Sequence, residues 1–295
     1  MGIKVLQGVV LWRKFRRHRL LVQWAMVAMA TPSQQAARMR AAPSPQSLAG
    51  WYVISLRPLG QHAGLRRAAA LHGAKLLALS PLRIEVRTDA ATEVALHAAL
   101  AADVVVFTSP NAVRAATGLR PLRARRGQTW LAVGAGTAAA LHRAGIAHAD
   151  APVRMDSEGL LALPALQDVR GRSIGLVTAP GGRDHLAPAL RARGADVRRA
   201  DVYARVPIAP SPSALARLRA LDAPLLLAVS SAEAFVHLLA AVPDDIRAML
   251  LRARVDTASE RLAGLVRAQG FDDIVVAASA RPRDLVAAAL AAARA

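Results

Sequence analysis

The sequence predicts an α/β fold of two similar lobes, each built on a parallel β-sheet with helices on both faces. The first observation is an internal repeat, which decides how the chain divides. Ser109 and Ser231 end two similar apolar runs 122 residues apart, and Thr137 and Ser259 are separated by the same 122 residues. The second observation is that short apolar segments alternate with amphipathic helical stretches from Trp51 onwards, as in parallel sheets covered by helices. Two units of about 122 residues each fit within the 295 residues of the chain and have the usual size of domains.

Strands are predicted where apolar runs stop at residues that favour turns, and helices are predicted between them. Two helices, at 65–72 and 185–193, are followed by Gly73 and Gly194, and glycine readily adopts the left-handed conformation that closes a helix. Each repeat therefore contains a strand, a helix, a Gly-Ala pair and a further strand, followed by two strand–turn–helix units. The candidate strands are 51–56, 104–107, 129–133, 173–177, 225–229 and 274–277.

Two extended segments punctuated by proline, 80–88 and 203–212, occupy corresponding places in the two repeats. We predict that these segments connect the lobes. Two similar lobes joined in this way face each other across a cleft, and clefts are where ligands bind.

Hydroxyl side chains stand where predicted strands give way to helices. Ser109 precedes Pro110, which predicts a serine cap with proline at the first helical position. Capping boxes are predicted at 230–233 and 257–260. Helix capping explains each hydroxyl taken singly, but matched positions in two lobes place four helix N-termini at the carboxyl ends of parallel strands, where such sheets bind ligands. The four hydroxyls are those of Ser109, Thr137, Ser231 and Ser259.

The helix N-termini predict the charge of the ligand. Free backbone N–H groups and the helix dipole favour carboxylates or phosphates. The formal net charge of +19 agrees in sign, although residues 1–84 contain thirteen Lys and Arg and no acidic residue, which leaves +6 for the remainder. Aromatic residues make up only 3% of the chain and do not alternate with basic residues, which argues against a nucleic-acid partner. The absence of cysteine excludes disulfides and thiolate chemistry and is compatible with a cytoplasmic location.

Residues 1–48 differ in composition from the rest of the chain. A basic run precedes an apolar run at 20–30, which is shorter than the roughly 20 residues that span a bilayer, and a stretch rich in Pro, Ser and Gln follows. The arrangement resembles a secretory signal, but its basic region is long. A dispensable N-terminal extension, disordered or helical, is the favoured interpretation. Contact of residues 8–30 with a membrane surface is the alternative.

Other motifs give weaker indications. A G-x-G-x-x-A pattern at 134–139 follows a predicted strand, as in dinucleotide-binding enzymes, but its counterpart at 256–261 contains no glycine. Arg183, beside two glycines, either binds a carboxylate or lies in a solvated turn. The histidines show no metal-ligand spacing, and no Ser-His-Asp arrangement is assignable. Tyr203 is one of two tyrosines and falls in the second connecting segment.

Six short motifs follow one another along the chain. They are FTSPNAV at 107–113, AVGAGTA at 132–138, SEGLL at 157–161, GGR at 181–183, VYAR at 202–205 and VSSAE at 229–233. No single motif is distinctive, but their order and spacing resemble those of the uroporphyrinogen-III synthase family from about Tyr52 to the C-terminus. Residues 1–48 lie outside the resemblance.

The resemblance implies two doubly wound, flavodoxin-like lobes joined by a two-stranded extended connection. Residues 49–83 and 206–295 together would form one lobe, and residues 84–205 would form the other. The repeat alone predicts two consecutive domains instead, so the interleaved arrangement is implied only by the resemblance.

The resemblance also implies an activity. The family closes linear hydroxymethylbilane to uroporphyrinogen III, with loss of water and inversion of ring D, in tetrapyrrole and haem biosynthesis, and this lyase reaction needs no metal or organic cofactor. By position, Tyr203 would donate a hydrogen bond that assists departure of the hydroxyl. The chain lacks the glycine that the family often has before the hydroxyl pair at 256–261. The substrate-binding positions implied are Ser109, Asn111, Thr137, Arg183, Ser230, Ser231 and Ser259.

The expected partner is therefore a small polycarboxylate tetrapyrrole, bound by a monomeric protein. A two-lobed module that binds an anionic ligand without catalysis is the alternative that the residues leave open.

Overall fold

The computed structural model describes residues 47–154, 156–181 and 185–292, and it confirms an α/β fold with two lobes. Its elements are, in chain order, β1 (Tyr52–Ser55), α1 (Ala63–Leu71), β2 (Lys75–Ala78), β3 (Leu82–Val86), α2 (Ala90–Leu100), β4 (Val104–Phe107), α3 (Pro110–Leu119), β5 (Thr129–Ala132), α4 (Ala135–Arg143), α5 (Ser157–Leu161), a 3₁₀ turn (Pro164–Leu166), β6 (Ser173–Thr178), α6 (Leu186–Ala192), β7 (Asp196–Asp201), β8 (Tyr203–Pro207), α7 (Pro212–Arg219), β9 (Leu225–Val229), α8 (Ala232–Ala241), α9 (Asp244–Leu251), β10 (Arg254–Thr257), α10 (Glu260–Arg267), β11 (Ile274–Val276) and α11 (Pro282–Ala292).

Each lobe is built on one parallel sheet. The sheet of lobe 1 has the order β11-β10-β9-β1-β2, and that of lobe 2 has the order β5-β4-β6-β7. The repeat is visible in these orders, because β10-β9-β1-β2 corresponds strand by strand to β5-β4-β6-β7. Lobe 1 adds β11 at its edge. The strand order reverses between β9 and β1 in lobe 1 and between β4 and β6 in lobe 2. Open α/β sheets bind ligands at such points.

The two lobes are joined by β3 and β8, which pair antiparallel from Leu82 with Pro207 to Val86 with Tyr203. These strands lie within the two segments, 80–88 and 203–212, that the sequence predicts as connections. Lobe 1 therefore combines strands from both ends of the described chain, and lobe 2 is continuous between the connecting strands.

Apolar side chains cover both faces of each sheet. In β4 the side chains alternate, so that Val105 and Phe107 pack against α2, α3 and α4, whereas Val104 and Val106 pack against the opposite helical layer. Phe107 stacks on Trp130 with 5.8 Å between ring centroids. Because both faces are buried, β4 and β9 are continuous apolar runs, as expected of parallel strands.

Two helices end just before the glycines that the sequence predicts to close them. Gly73 follows α1 with φ +77°, and Gly194 follows α6 with φ +83°. Leu48 is predicted to end the N-terminal extension but belongs instead to the core of lobe 1. It is 3% exposed, and its backbone N–H donates to the backbone oxygen of His72 at 2.7 Å.

Across the described residues, no helix combines the length and apolar character needed to cross a membrane. Residues 8–30, the alternative membrane-surface segment, lie outside the described residues. In the same part of the chain no group of three His, Cys, Asp or Glu side chains is arranged to hold a metal ion.

Candidate active site

A cavity of about 400 Å³, here called the central cavity, lies where the two lobes meet. Its walls come from the carboxyl ends of β1 and β9 in lobe 1, from the start of α3 in lobe 2, and from the connecting strand β8. Five of the residues that the sequence indicates as site residues line it: Ser109, Asn111, Tyr203, Ser230 and Ser231.

Ser109 connects a helix cap to the cavity. Its backbone is extended after β4, and its hydroxyl oxygen accepts the N–H of Ala112 at 3.0 Å, with Pro110 at the first helical position, as predicted. The same hydroxyl lies 3.0 Å from the phenol oxygen of Tyr203, and either group is able to donate. Capping thus holds the serine hydroxyl in a position that orients the tyrosine.

Tyr203 opens β8 and is 4% exposed. Its ring belongs to the lobe 2 core together with Phe107 and Trp130, while its hydroxyl reaches Ser109 at the cavity wall. Aromatic packing fixes the ring, so that only the polar end of the side chain is available to a ligand.

The serine pair of lobe 1 caps α8 through its second member. Ser231 accepts the N–H of Ala234 at 3.3 Å, whereas Ser230 completes the wall beside it. The capping box predicted at 230–233 is wrong, because Glu233 is the second helical residue and pairs with Arg205 at 2.6 Å instead of returning to the cap.

Asn111 takes part in a bridge between the lobes. Gln61 of lobe 1 donates from its side-chain nitrogen to the side-chain oxygen of Asn111 at 3.0 Å. Arg114, one turn further along α3, donates to that Asn111 oxygen and to the side-chain oxygen of Gln61 at 3.2 Å. These three side chains close one side of the cavity.

Two of the predicted hydroxyls do not line the central cavity. Thr137 is buried inside the first turn of α4, where Gly134 is the N-cap, so Thr137 is not the capping residue expected from the repeat. Ser259 caps α10 and accepts the N–H of Leu262 at 3.4 Å, so the capping box predicted at 257–260 is displaced. Thr257 lies buried in β10. Arg183 lies outside the described residues.

Three arginines that are not among the predicted site residues line the central cavity: Arg57, Arg114 and Arg205. Arg57 follows the carboxyl end of β1, and Arg114 lies three residues after Asn111 on the same helical face. The sequence positions of both arginines could therefore have indicated that they belong to the site. Arg205 follows Tyr203 by two residues in β8. Arg205 donates a hydrogen bond to the backbone oxygen of Pro180 in lobe 2 at 2.9 Å and forms an ion pair with Glu233 in lobe 1, which ties the connection to both lobes.

The electrostatics of the central cavity favour anions. Of the described residues that line it, the three arginines are charged and none is acidic. Burial lowers the pKa of Arg57. Burial and, next, the charge of Arg143 lower the pKa of Arg114. A guanidinium stays charged in proteins, so the lowered pKa values of both arginines reflect surroundings that disfavour the cation, and an anion in the cavity would relieve this.

His62 is buried in lobe 1 and connects the ends of two strands near the cavity wall. Its two ring nitrogens lie 2.9 Å from the hydroxyls of Ser55 and Ser80, which lie at and just beyond the ends of β1 and β2. Burial, followed by the charges of Arg66 and Arg57, lowers the pKa of His62, so this imidazole is neutral at neutral pH. Its hydrogen bonds join the two strand ends that precede the cavity.

A second cavity of about 260 Å³, here called the lobe 2 cavity, opens at the carboxyl ends of β4 and β6. Thr108 and Thr178 lie in its wall and are joined by a hydrogen bond of 2.7 Å. It shares three wall residues with the central cavity, Ser109, Tyr203 and Arg205, so these residues separate two adjacent spaces.

Comparison with known proteins decides the family. A sequence model described as uroporphyrinogen-III synthase HemD matches residues 64–287, well over half of the chain. The chain belongs to the uroporphyrinogen-III synthase family. Among relatives, the uroporphyrinogen-III synthase of Salmonella typhimurium strain LT2 is 35% identical over 164 residues, 53% of this chain and 67% of that protein. That of Escherichia coli K12 is 35% identical over 153 residues, 51% of this chain and 62% of that protein, which is less than two thirds of its length.

The fold of this chain resembles that of a solved uroporphyrinogen III synthase structure. The crystal structure of a mutant uroporphyrinogen III synthase from the extremely thermophilic bacterium Thermus thermophilus matches with a TM-score of 0.52. The match covers 83% of this chain and 99% of that chain at 21% sequence identity. This likeness supports the two-lobed α/β fold.

Proposed function

We propose that this protein cyclises hydroxymethylbilane to uroporphyrinogen III, with loss of water and inversion of ring D. Family membership supports the reaction. The structural observation that carries the proposal is that the hydroxyls of Ser109 and Ser231, one from each lobe, line one cavity together with Tyr203. A ligand bound there is held from both sides.

The cavity suits the charge of the substrate. Hydroxymethylbilane bears eight acetate and propionate carboxylates, and the cavity offers hydroxyl, amide and guanidinium donors without an acidic neighbour among its described wall residues. Hydrogen bonds between charged groups and carboxylates are stronger than neutral ones. Contacts from both lobes would fold the linear molecule so that its ends meet, and such a proximity effect lowers the barrier by several kcal/mol.

Tyr203 would assist the first chemical step. The C–O bond of the hydroxymethyl group on ring A breaks, and the oxygen leaves as water after receiving a proton, which a hydrogen bond from the Tyr203 hydroxyl favours. The substituted carbon of ring D attacks the resulting azafulvene and forms a spiro intermediate. This intermediate fragments and recloses with ring D inverted, and a proton is lost. Ser109, 3.0 Å from the phenol oxygen, positions the donor.

The remaining features stay predictions. Substrate contacts are proposed for Asn111, Ser230 and Ser231, which line the cavity, whereas roles for Thr137 and Ser259 have no support from the cavity walls. We also propose that the protein acts as a monomer, in the cytoplasm and without a cofactor, as the family resemblance and the cysteine-free composition suggest.

Replacing Tyr203 by Phe tests the mechanism. We expect the rate of type III formation to fall at least about tenfold, because general acid assistance contributes about 10²–10⁴ in enzymes and water replaces part of it. Tyr52→Phe is the matched control, because Tyr52 is the other tyrosine and lies at the start of β1, away from the cavity. The measurement is separation of type I and type III products after incubation with hydroxymethylbilane. A Tyr203→Phe protein with unchanged rate and isomer ratio would remove the proposed role.

The same assay tests the reaction itself. Hydroxymethylbilane closes spontaneously to the type I isomer, so a protein that only binds it leaves type I as the product. Wild-type protein that yields only type I would contradict the proposed enzyme and favour the two-lobed binding module.

A further inference from the structure

Two arginines of the central cavity, one from each lobe, have no carboxylate partner within the part of the chain that the structure describes. Arg57 follows β1 and donates to the backbone oxygen of Ala280 at 3.0 Å. Arg114 in α3 donates only to neutral oxygens, those of the Asn111 and Gln61 side chains. The ion pairs of the described residues involve other arginines.

The third arginine of the wall shows the contrast. Arg205 is paired with Glu233 at 2.6 Å, so its charge is already balanced. Arg57 and Arg114 have only neutral acceptors, which are weaker partners for a guanidinium than a carboxylate is. Arg114 also faces the positive charge of Arg143. Both would therefore gain more from an anion in the cavity than Arg205 would.

We propose that Arg57 and Arg114 each bind a carboxylate of the substrate from opposite walls of the central cavity, and that Gln61 occupies Arg114 until the substrate displaces it. This inference rests on the proposed function, because it names the residues that hold the polycarboxylate at that same site. Two carboxylates on one molecule, held by different lobes, connect the lobes through the substrate. The hydrogen bonds of Gln61 with Asn111 and Arg114 make that connection in the free protein.

Neutralising each arginine gives the first test. Arg57→Gln and Arg114→Gln are each expected to weaken binding of uroporphyrin III, an octacarboxylate followed by its fluorescence, by about tenfold, as for loss of one charge-assisted contact. KM should rise by a similar factor. The controls are Arg66→Gln in α1 and Arg143→Gln in α4, which remove the same charge nearby from side chains that do not line the cavity. We expect both controls to change the dissociation constant less than about twofold, because neither loses a direct contact with the ligand.

Gln61→Ala gives a test with the opposite sign. Removing the competing amide frees Arg114, so uroporphyrin III should bind a few-fold more tightly, whereas a variant that merely loosens the fold would bind it more weakly. Weaker binding by Gln61→Ala would overturn the displacement. Arg57→Lys and Arg114→Lys keep the charge and should recover part of the affinity, which separates loss of charge from misfolding.

The outcomes separate this inference from the proposed function. If wild-type protein forms the type III isomer but both Gln variants bind uroporphyrin III normally, the inference is wrong and the enzyme assignment stands. If wild-type protein yields only type I, the enzyme assignment fails, while the binding measurements still report whether Arg57 and Arg114 hold an octacarboxylate.

Discussion

At the scale of single residues, the Ser109 hydroxyl joins folding to function. Its oxygen accepts the Ala112 N–H, which satisfies a backbone group at the start of α3, and it meets the Tyr203 hydroxyl at the cavity wall. A hydroxyl has one proton and two acceptor lone pairs, so both contacts are compatible. The cap therefore holds the tyrosine partner at a set distance from the helix.

Comparison of two serine caps separates these roles. Ser211 caps α7, accepts the Ala214 N–H at 3.2 Å and is followed by proline, as Ser109 is, but it lies outside the central cavity. Substitution of either serine by Ala should lower the free energy of unfolding by about 1 kcal/mol, measured by urea denaturation. Only Ser109→Ala should also lower the rate of type III formation. Equal activity in the two variants would show that Ser109 is a cap and nothing more.

The capping serines are accessible from the sequence because capping is a local property. The apolar run before Ser109 and the proline after it predict the cap. Both features are close neighbours of Ser109 in the sequence, so no knowledge of the tertiary structure is needed. The joint placement of Arg57 and Arg114 cannot be predicted in this way, because they come from different lobes and line the same cavity only after the chain folds.

At the scale of secondary structure elements, β10 departs from the apolar pattern of its neighbours. Asp256 in its centre is fully buried, and within the described structure neither carboxylate oxygen has a hydrogen-bond partner. Burial raises its pKa to about 7, against the opposing charge of Arg254 and with a smaller raising effect from Asp273. Polar residues at Arg254 and Asp256 also explain why β10 is absent from the candidate strands, whereas the wholly apolar β4 is predicted with the bounds that the structure has.

The buried carboxyl predicts how stability changes with pH. Because the folded pKa of Asp256 lies above the unfolded value near 4, the folded protein binds the extra proton between about pH 4 and 7. Its contribution to the free energy of unfolding is therefore lost as pH rises through that window, by up to about 4 kcal/mol at pH 8.

Asp256→Asn should consequently be more stable than wild type at pH 8 and lose most of that advantage at pH 4. Urea unfolding at a series of pH values measures both effects. Asp222→Asn, which alters an exposed aspartate of the same lobe, is the control and should follow the wild-type curve. A parallel pH profile for Asp256→Asn and wild type would contradict the assignment of a buried protonated carboxyl.

At the scale of the whole molecule, the repeat and the lobes divide the chain at different places. The repeat places β1 to β5 in one unit and β6 to β10 in the next, whereas the lobe 1 sheet takes β1 and β2 together with β9, β10 and β11. Antiparallel pairing of β3 with β8 permits this exchange, because it brings the two crossing points of the chain side by side. Sequence similarity between the two units cannot reveal the exchange. Consecutive domains and interleaved lobes would both contain the same set of equivalent strands, so the repeat does not distinguish them.

Two fragments of equal length test the predicted division of the chain. Residues 84–205 contain every buried residue of the two lobe 2 clusters, whereas residues 51–172 lack β6 and β7 from that lobe and β9 to β11 from the other. We therefore expect the first fragment to unfold cooperatively in urea with a near-ultraviolet signal from the packed Trp130. The second should leave large apolar surfaces uncovered and show no cooperative transition. Cooperative folding of residues 51–172, with none for residues 84–205, would mean that the repeat, and not the lobe, is the independent folding unit.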